Sequence, residues 1–245
     1  MKFENTEVWG FEHALRGMRN PKNSWDKSDS TIKCGCQYDD CDYSKCLLVN
    51  PIIIGEKDLK LAQALIKSGS EHRKFMRQIF VSVDITAPLY WWKEFDTYKV
   101  GTVANSTSTM HKIATTPITL DCFETDDYNN IIFPKEESSI EKENIIKEVF
   151  IPYLEYLRKM YLHTKSKEYW KELIRWLPES WLQKRTVTMS YENLFAMCSK
   201  GQRRFHKLNE WSGQDNNNLS NFISWARTLP YAQELIFIDE MEEKN

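Results

Sequence analysis

The stretch Ser68–Lys112, SGSEHRKFMRQIFVSVDITAPLYWWKEFDTYKVGTVANSTSTMHK, carries most of the information in this chain of 245 residues. After a charged opening, β-branched residues alternate with other side chains over 79–83, which predicts a strand. Thr86-Ala87-Pro88 predicts the start of a helix that runs to about Phe95, since proline is tolerated in a first helical turn. Residues 97–108 are small and polar, and they predict a loop. A segment so dense in charged, hydroxyl and amide groups is typical of a site for a polar ligand.

The composition limits the class of protein. Lysine and arginine number 33 against 35 for aspartate and glutamate, so we do not expect a nucleic-acid binder, which would normally be basic. We see no signal peptide, and no stretch approaches the roughly 20 apolar residues of a membrane span. We therefore expect a soluble cytoplasmic protein without a membrane partner. Neither GxGxxG nor GxxxxGK[ST] occurs, which argues against a Rossmann or P-loop nucleotide site.

Periodicity predicts a helix-rich chain. Helical spacing of apolar residues predicts helices at Val8–Met18, Lys57–Lys67, Ser138–Leu162 with a kink or break at Pro152, Lys167–Trp176, Tyr191–Trp211 and Leu219–Thr228. Arg185–Ser190 predicts a second strand. The sum is an α+β fold, a single domain over 1–245 that is helix-rich with a small, mostly antiparallel sheet. We expect a cysteine-bearing loop at about 22–50 and a C-terminal helical extension at about 212–245.

The predicted loop contains a cluster of cysteines. Four of the six cysteines lie within thirteen residues, at Cys34, Cys36, Cys41 and Cys46. Four thiolates are enough for a tetrahedral zinc site, but this spacing differs from paired C-x-x-C knuckles. We therefore predict no metal site and keep these four as the candidates for one, with reduced surface thiols as the alternative. Cys122 and Cys198 are expected to be packing residues.

The motifs of this stretch resemble those of the flavin-dependent thymidylate synthases, the ThyX family. Ser68-x-x-Glu71-His72 is similar to the family's SxxEH opening, and the predicted helix Thr86–Phe95 stands where the family's substrate helix stands. IRWLPESW at 174–181 resembles its ARxxLP turn. The family's RHR triplet is absent, and WWKEFDTYK at Trp91–Lys99 takes its place. Lysines there can supply charge but not the two-pronged hydrogen bonding of a guanidinium.

This sequence can be aligned in two registers with the family's motif that carries a C-terminal nucleotide-binding arginine. In the first, Asn193 precedes Arg204 by eleven residues, and HKLNEW at His206–Trp211 follows. In the second, Arg227 is followed by Tyr231-Ala232-Gln233, which resembles the family's LRxxxxAQxEI. We prefer the first register, because it follows the leucine–proline turn and the second strand at a more natural distance.

The resemblance implies a ThyX-like homotetramer that binds FAD and methylates dUMP to dTMP, with methylenetetrahydrofolate and NADPH as co-substrates. The flavin would carry the difficult chemistry, so no cysteine nucleophile is needed. The candidates for substrate binding can hold phosphate through cations and hydroxyls, and they are Lys93, Lys99, Ser106, Ser108, Arg203 and Arg204. The candidates for cofactor binding are Glu71, His72, Trp92, Asn193 and His206. No catalytic residue is identified.

Structural alternatives stand beside these roles. Glu71 could form a solvated ion pair with Lys74 or Arg73, and the arginine pair 203–204 could be a solvated basic turn. Trp91 and Trp92 cannot both face one ligand, because adjacent helical positions point about 100° apart, so at least one is expected in the core.

Two rival functions keep the same fold. One is a transferase that modifies a pyrimidine deoxynucleotide for hypermodified phage DNA. The other is a protein that has lost catalysis and binds a nucleotide or a partner protein, which the missing RHR triplet favours.

Overall fold

A four-stranded antiparallel sheet organises the computed structural model, which describes residues 1–32, 52–126, 145–198, 203–215 and 219–240. The strand order is β1–β4–β6–β5, and a separate two-stranded sheet pairs β2 with β3. The strands are β1 (Lys2–Trp9), β2 (Thr31–Ile32), β3 (Ile52–Ile53), β4 (Phe80–Pro88), β5 (Val103–Ser106) and β6 (Leu182–Ser190).

Helices cover one face of the sheet and extend beyond its edge. In the described residues they are α1 (Phe11–Arg19), α2 (Glu56–Lys67), α3 (Leu89–Thr97), α4 (Thr109–Lys112), α5 (Ile151–Thr164), α6 (Lys167–Arg175), α7 (Tyr191–Cys198), α8 (Asn209–Ser212), α9 (Phe222–Arg227) and α10 (Ala232–Leu235). None of these described helices is long and apolar enough to cross a membrane. The predicted fold class, a helix-rich α+β domain with a small antiparallel sheet, is confirmed.

The inner face of the sheet is apolar because side chains alternate along each strand. Val81, Val83 and Ile85 of β4 are fully buried, and Val187 and Met189 of β6 lie beside them. The predicted strand in this stretch is therefore confirmed. Its buried face supports the helices that carry the candidate site residues.

The outer face of the sheet is polar and centres on Asp84. Its carboxylate accepts hydrogen bonds from Thr186 Oγ1 at 2.6 Å and Asn5 Nδ2 at 3.0 Å, and it pairs with Lys184 at 3.1 Å. These contacts lower the pKa of Asp84 to about 2, and the hydrogen bond from the Thr186 hydroxyl has the largest effect. The network joins three neighbouring strands across the solvent side of the sheet.

Aromatic rings fill the space between the sheet and the C-terminal helices. Trp91, Trp92 and Phe95 of α3 meet Trp211 of α8 and Phe222 of α9, with ring centroids 5.0–6.3 Å apart. These five side chains are at most 1% exposed. Adjacent aromatic positions on α3 can both be buried because the helix is covered on two sides.

A second, smaller core lies under the hairpin formed by α5 and α6. Leu154, Leu157 and Leu173 pack there against Ile118 and Phe123. Pro152 stands in the first turn of α5, where a π-helical turn at Ile145–Phe150 ends. The predicted break at this proline is confirmed, since proline has no N–H to continue the ladder. The predicted start at Ser138 lies outside the described residues.

Several predicted boundaries are wrong where strand pairing decides the outcome. Residues 86–88 continue β4 because each pairs with a residue of β6, so α3 begins only at Leu89. Val8 belongs to β1, not to the first helix, and part of the predicted loop 97–108 is the edge strand β5. The helix predicted over Tyr191–Trp211 is wrong as one element, because α7 ends at Cys198 and residues 203–208 are not helical.

Other helices agree with the sequence pattern. Lys57–Lys67 and Lys167–Trp176 correspond to α2 and α6 within one residue. The cysteine cluster at Cys34, Cys36, Cys41 and Cys46 and the charged C-terminal tail lie outside the described residues. Among the residues that are described, no group of three or more metal-binding side chains occurs.

Gly10 is required where β1 turns into α1. Its φ is +95°, a region that residues with a Cβ rarely adopt, and a Cβ there would lie under 3.0 Å from the Gln78 carbonyl oxygen. We expect Gly10→Ala to lower the free energy of unfolding by about 2 kcal/mol or more, measured by chemical denaturation, because strain and close approach add.

Gly69→Ala is the matched control. Gly69 also has a positive φ, +105°, but no atom lies within 4 Å of the Cβ position. Its substitution should cost only the backbone strain, about 1 kcal/mol. Equal losses in the two variants would contradict the close approach at Gly10.

Candidate nucleotide-binding cleft

A large cavity lies between α1, α2 and the 3₁₀ turn Arg73–Gln78, which leads into β4. Its volume is about 1290 Å³, and its lining residues are Gly17, Met18, Arg19, Asn20, Pro21, Lys22, Ser24, Lys27, Lys57, Leu61, Leu65, Glu71, His72, Lys74, Phe75 and Gln78. Ligand sites in proteins are typically concave, with apolar walls and a few placed polar groups. We refer to this cavity as the cleft.

The lining of the cleft combines an apolar wall with a positive rim. Met18, Leu61, Leu65 and Phe75 supply the apolar surface, and the exposed cations are Lys22, Lys27, Lys57 and Lys74. Glu71 is the one carboxylate among the lining residues. This combination suits a ligand with a flat apolar part and phosphate groups, because clustered cations focus potential onto anions.

A buried ion pair holds α1 against α2 at the edge of the cleft. Arg19 Nε donates to Asp58 Oδ1 at 2.6 Å, and both side chains are buried. Ser28 Oγ and Ser30 Oγ donate to the other carboxylate oxygen at 2.6 and 2.5 Å. Burial raises the pKa of Asp58, but these hydrogen bonds and the guanidinium charge outweigh it, so the pKa lies below its usual value.

Asp29 completes this junction by capping α2. Its carboxylate accepts hydrogen bonds from the backbone N–H groups of Lys57 at 2.9 Å and Asp58 at 3.1 Å. The Lys57 contact is the main reason why the pKa of Asp29 is lowered. A carboxylate at this position is also stabilised by the positive end of the helix dipole. The turn 28–30 is thus fixed to α2, and Lys27 is placed at the cleft.

The structure places Glu71 and His72 in the cleft. Both follow the turn at Gly69, whose carbonyl accepts the His72 N–H at 3.1 Å. The next residue, Arg73, turns away to pair with Glu192 of α7 at 3.1 Å, and its guanidinium lies 4.6 Å from the ring of Phe195. Of the residues predicted for the cofactor, Glu71 and His72 are the two that line this cleft.

Trp92 and Lys93 of α3, and Lys99 just after this helix, have partners within the chain. Trp92 is buried, its indole N–H donates to the Gln183 carbonyl at 2.9 Å, and the Arg185 guanidinium covers its ring at 4.2 Å. Lys93 pairs with Glu179 at 2.5 Å. Lys99 lies 3.7 Å from the carboxylate of Asp96, which also accepts from Arg185 at 3.1 Å.

The candidate serines lie at the far end of β5, near these α3 groups. Ser106 pairs with Arg185 in the β5–β6 ladder. Ser108 caps α4, where its Oγ accepts from the His111 N–H at 3.1 Å and lies 2.7 Å from the His111 Nδ1. Ser106 therefore lies opposite Arg185, which shares the carboxylate of Asp96 with Lys99, whereas Ser108 caps a local helical turn.

Arg203 and His206 lie against the side of α3 that faces away from Arg185. The Arg203 guanidinium lies 4.5 Å from the ring centroid of Tyr98, and His206 Nε2 lies 3.2 Å from Glu94 Oε1. The hydrogen bond between Tyr98 and Glu94 raises the pKa of Tyr98. These four titratable side chains form a compact polar cluster that the sequence alone did not assemble.

Asn193 connects the parts of this region. Its side chain accepts from the Ser190 N–H at 2.9 Å and donates to the Val100 carbonyl at 2.6 Å. Its neighbour Glu192 holds Arg73. Two adjacent residues at the start of α7 therefore link the turn beside the cleft to the chain after α3.

The arginines of the two sequence registers converge on one cluster. Arg204 donates to Asp239 Oδ1 at 2.6 Å, and Arg227 donates to both carboxylate oxygens of Glu240 at 2.8 and 2.6 Å. Both guanidinium groups lie over the ring of Phe237, at 5.3 and 4.1 Å. Arg204 is buried there and separate from the cleft.

Sequence reasoning missed the lysines of the cleft. Lys22 and Lys27 are five residues apart, but Lys57 and Lys74 lie much farther along the chain, and the four share no motif. The position of Lys74, two residues after His72 in the stretch already singled out, was a signal that could have found one of them. The other three become neighbours through the packing of α1 and α2.

Asp58→Asn should weaken the junction beside the cleft. It leaves the buried Arg19 without its counter-charge, so we expect a loss of about 3 kcal/mol of stability in chemical denaturation at pH 7. Because the folded pKa of Asp58 is lowered, its contribution is present above the unfolded pKa and is lost as pH falls through the folded value. The difference between wild type and variant should therefore shrink below about pH 4.

Glu56→Gln on the same helix is the control for Asp58. Glu56 forms an exposed pair with Lys60 at 2.6 Å, and exposed pairs contribute little. A pH-independent difference between wild type and Asp58→Asn would contradict the assigned role.

Arg204→Ala should lower the free energy of unfolding. It removes a buried cation and leaves the carboxylates of Asp239 and Glu240 without it, so we expect a loss of about 2 kcal/mol. Arg203→Ala, which removes a contact with Tyr98, should cost less. Thermal and chemical denaturation of both variants checks the order, and a larger loss for Arg203→Ala would contradict it.

Comparisons with known proteins give matches in structure only. No protein-family model and no curated protein matches the sequence. A crystal structure of the flavin-dependent thymidylate synthase ThyX from Helicobacter pylori, complexed with FAD and dUMP, matches with a TM-score of 0.57 and 13% identity, over 98% of this chain and 99% of that chain. A second Helicobacter pylori structure, of Thymidylate Synthase X with FAD and dUMP, matches with a TM-score of 0.58 and 12% identity, over 98% of each chain. At these identities the likeness establishes the fold alone, and the described part of the chain has a ThyX-like α+β fold.

Proposed function

We propose that this protein is a ThyX-like flavoenzyme that binds FAD and dUMP and methylates dUMP, with methylenetetrahydrofolate and NADPH as co-substrates. The observation that carries the proposal is the cleft with its apolar wall and four lysines, on a fold shared with enzymes solved with FAD and dUMP. A homotetramer is part of the same proposal.

The residues of the cleft fit a flavin dinucleotide. Leu61, Leu65 and Phe75 offer a surface for a flat ring, and the lysines can hold two phosphates as point charges. The volume of about 1290 Å³ exceeds the usual range for a drug-sized ligand, so a large cofactor can enter. When bound, FAD supplies the redox and one-carbon chemistry that protein side chains lack.

The chain's own groups would bind and orient. We assign Glu71 and His72 to the cofactor, because both line the cleft. Lys99 and Ser106 are assigned to the nucleotide, because Ser106 lies opposite Arg185 of β6 and Lys99 approaches the same Asp96 carboxylate as that arginine. Arg203 and His206 would act from the opposite flank of α3, where a cation and an imidazole stand beside Tyr98 and Glu94.

A second candidate function is nucleotide binding without turnover. It is favoured by the ion pairs that already engage Lys93 on α3 and Lys99 just after it, since these lysines must leave their carboxylates to contact a phosphate. A modifying transferase with the same ligands is distinguished only by its product.

The absorption spectrum of the purified protein with added FAD tests the proposal. We expect a bound-flavin spectrum that changes on addition of dUMP, and dTMP as the product when methylenetetrahydrofolate and NADPH are present. Binding of both ligands without product would favour the second candidate, and a different nucleotide product would favour the transferase. A protein that does not bind FAD would refute the proposal.

Lys57→Ala should weaken FAD binding by about tenfold, measured by fluorescence titration. A charge-assisted contact contributes about 1.5–3 kcal/mol, and each 1.4 kcal/mol is tenfold. Asp29 caps α2 through the Lys57 backbone N–H, so alanine leaves the fold intact.

Lys60→Ala is the matched control on the same helix. Lys60 pairs with Glu56 and does not line the cleft. Equal effects of the two substitutions would mean that FAD binds elsewhere.

A further inference from the structure

The hairpin of α5 and α6 is basic, although the chain as a whole is slightly acidic. Its described residues, 145–176, carry seven lysines and arginines against four glutamates, whereas the whole chain carries 33 against 35 acidic residues. Two of these glutamates are engaged inside the hairpin. Glu155 accepts two hydrogen bonds from Arg158, at 2.6 and 2.9 Å, and Glu172 pairs with Arg175. The local charge of a surface, and not the sum over the chain, decides whether it attracts a polyanion.

Four lysines of the hairpin remain exposed to solvent. Within the described part of the chain none of them forms an ion pair, and they are Lys159, Lys165, Lys167 and Lys171. Lys165 ends α5 with a φ of +57°, so Lys165 and Lys167 lie at the tip of the hairpin. Lys159 and Lys171 lie further back, one on each helix. The charge of these lysines is therefore available to an anionic ligand.

Aromatic rings are exposed at the other end of the hairpin. Tyr153, Tyr156 and Trp176 are 42%, 53% and 50% exposed. The ring of Tyr153 lies 6.3 Å from that of Trp176, edge to face, which brings the start of α5 beside the end of α6. Tyr156 and Lys159 are three residues apart on α5 and share one side of the helix. We refer to these three aromatic residues and the four exposed lysines as the hairpin patch.

The combination of rings and cations selects the kind of ligand. Single exposed apolar residues are normal, but a contiguous exposed aromatic patch marks an interaction site. Proteins that bind single-stranded nucleic acid combine aromatic rings, on which bases stack, with cations that follow the phosphates. Along α5 the patch extends from Tyr153 to Lys165, about 18 Å, which is the length of about five stacked nucleotides.

We propose that the hairpin patch binds single-stranded RNA, with bases stacked on the exposed rings and phosphates held by the lysines. This binding does not rest on the proposed function, and it requires neither FAD nor dUMP. The expectation against nucleic acid came from the net charge of the whole chain, and the charge of the hairpin differs from that average.

The chemistry of the rings favours single-stranded RNA over other nucleic acids. A duplex hides the faces of its bases, so the exposed rings would have nothing to stack on. Tyr153 and Tyr156 also carry hydroxyls, which can exchange hydrogen bonds with the 2′-hydroxyl of ribose. DNA lacks that group, so a DNA single strand would lose these contacts.

Fluorescence anisotropy of the full chain with a labelled oligocytidylate of about twelve nucleotides tests the proposal. Cytidine is used because the proposed dUMP site takes a uridine nucleotide, so the two functions can fail separately. We expect log K to fall with log salt with a slope of about −3, because four lysines each neutralise one phosphate. The DNA strand of the same sequence should bind more weakly.

Substitutions at Tyr156 test the stacking. Tyr156→Ala should weaken binding by about tenfold at every salt concentration, because one base loses its ring while the phosphate contacts remain. Tyr156→Phe keeps the ring, so it should keep most of the affinity and lose part of the preference for RNA over DNA.

Substitutions of the lysines test the phosphate contacts. Lys159→Gln and Lys171→Gln should each make the salt slope shallower by about 0.7, because one phosphate contact is lost. Lys60→Gln on α2 is the control, since Lys60 is exposed and pairs with Glu56 outside the patch. It should leave both the affinity and the slope unchanged. Thermal unfolding of each variant checks that the fold is kept.

Several outcomes would overturn the proposal. They are a wild-type protein that does not bind the oligonucleotide at low salt, DNA or duplex RNA that binds as tightly as the single strand, and an affinity that Tyr156→Ala leaves unchanged. Unchanged slopes in both lysine variants would place the oligonucleotide elsewhere on the protein and overturn it as well. Binding to vesicles of anionic lipid without binding to the oligonucleotide would assign the patch to a membrane surface instead.

Discussion

The buried ion pair between Arg19 and Asp58 is the interaction on which the cleft depends. Removing both charges from water is costly, and the pair is stable only because Ser28 and Ser30 complete the hydrogen bonds of the carboxylate. Each of its members is adjacent in the chain to residues that line the cleft: Met18 precedes Arg19, Lys57 precedes Asp58, and Lys27 precedes Ser28. The pair therefore sets the position of an apolar wall and two cations at once.

The first turn of α7 connects the cleft to α3 through side-chain contacts. Glu192 holds Arg73 in the turn below the cleft, and Asn193 holds the Val100 carbonyl after α3. The aromatic side of α3 is buried, and this fixes the directions in which the polar side chains on its two flanks point. One flank faces Arg185, and the other faces Arg203 and His206. A ligand that touches the cleft and α3 would therefore meet side chains positioned by one rigid junction.

The ion pairs of Lys93 on α3 and of Lys99 just after it affect how a nucleotide would bind. Lys93 and Lys99 are exposed, and their pairs with carboxylates are weak in water, so a phosphate can compete for them. Arg204 is different, because its partners and the ring of Phe237 bury it. The arginines of the two registers proposed from the sequence thus serve one C-terminal cluster, where burial and bidentate pairing favour a role in holding the chain together.

The sequence alone determined the fold class, the central strand β4, the helices α2 and α6 and the break at Pro152, because each depends on local periodicity or on proline's missing N–H. It also singled out Glu71 and His72, whose motif is contiguous. It did not reveal the edge strands β1 and β5, since an edge strand takes its conformation from the neighbour with which it pairs. Only the tertiary structure decided which side chains meet: the cleft lysines, the Arg19–Asp58 pair and the cluster around Tyr98 join residues distant in the chain, and no local pattern encodes contacts of that range.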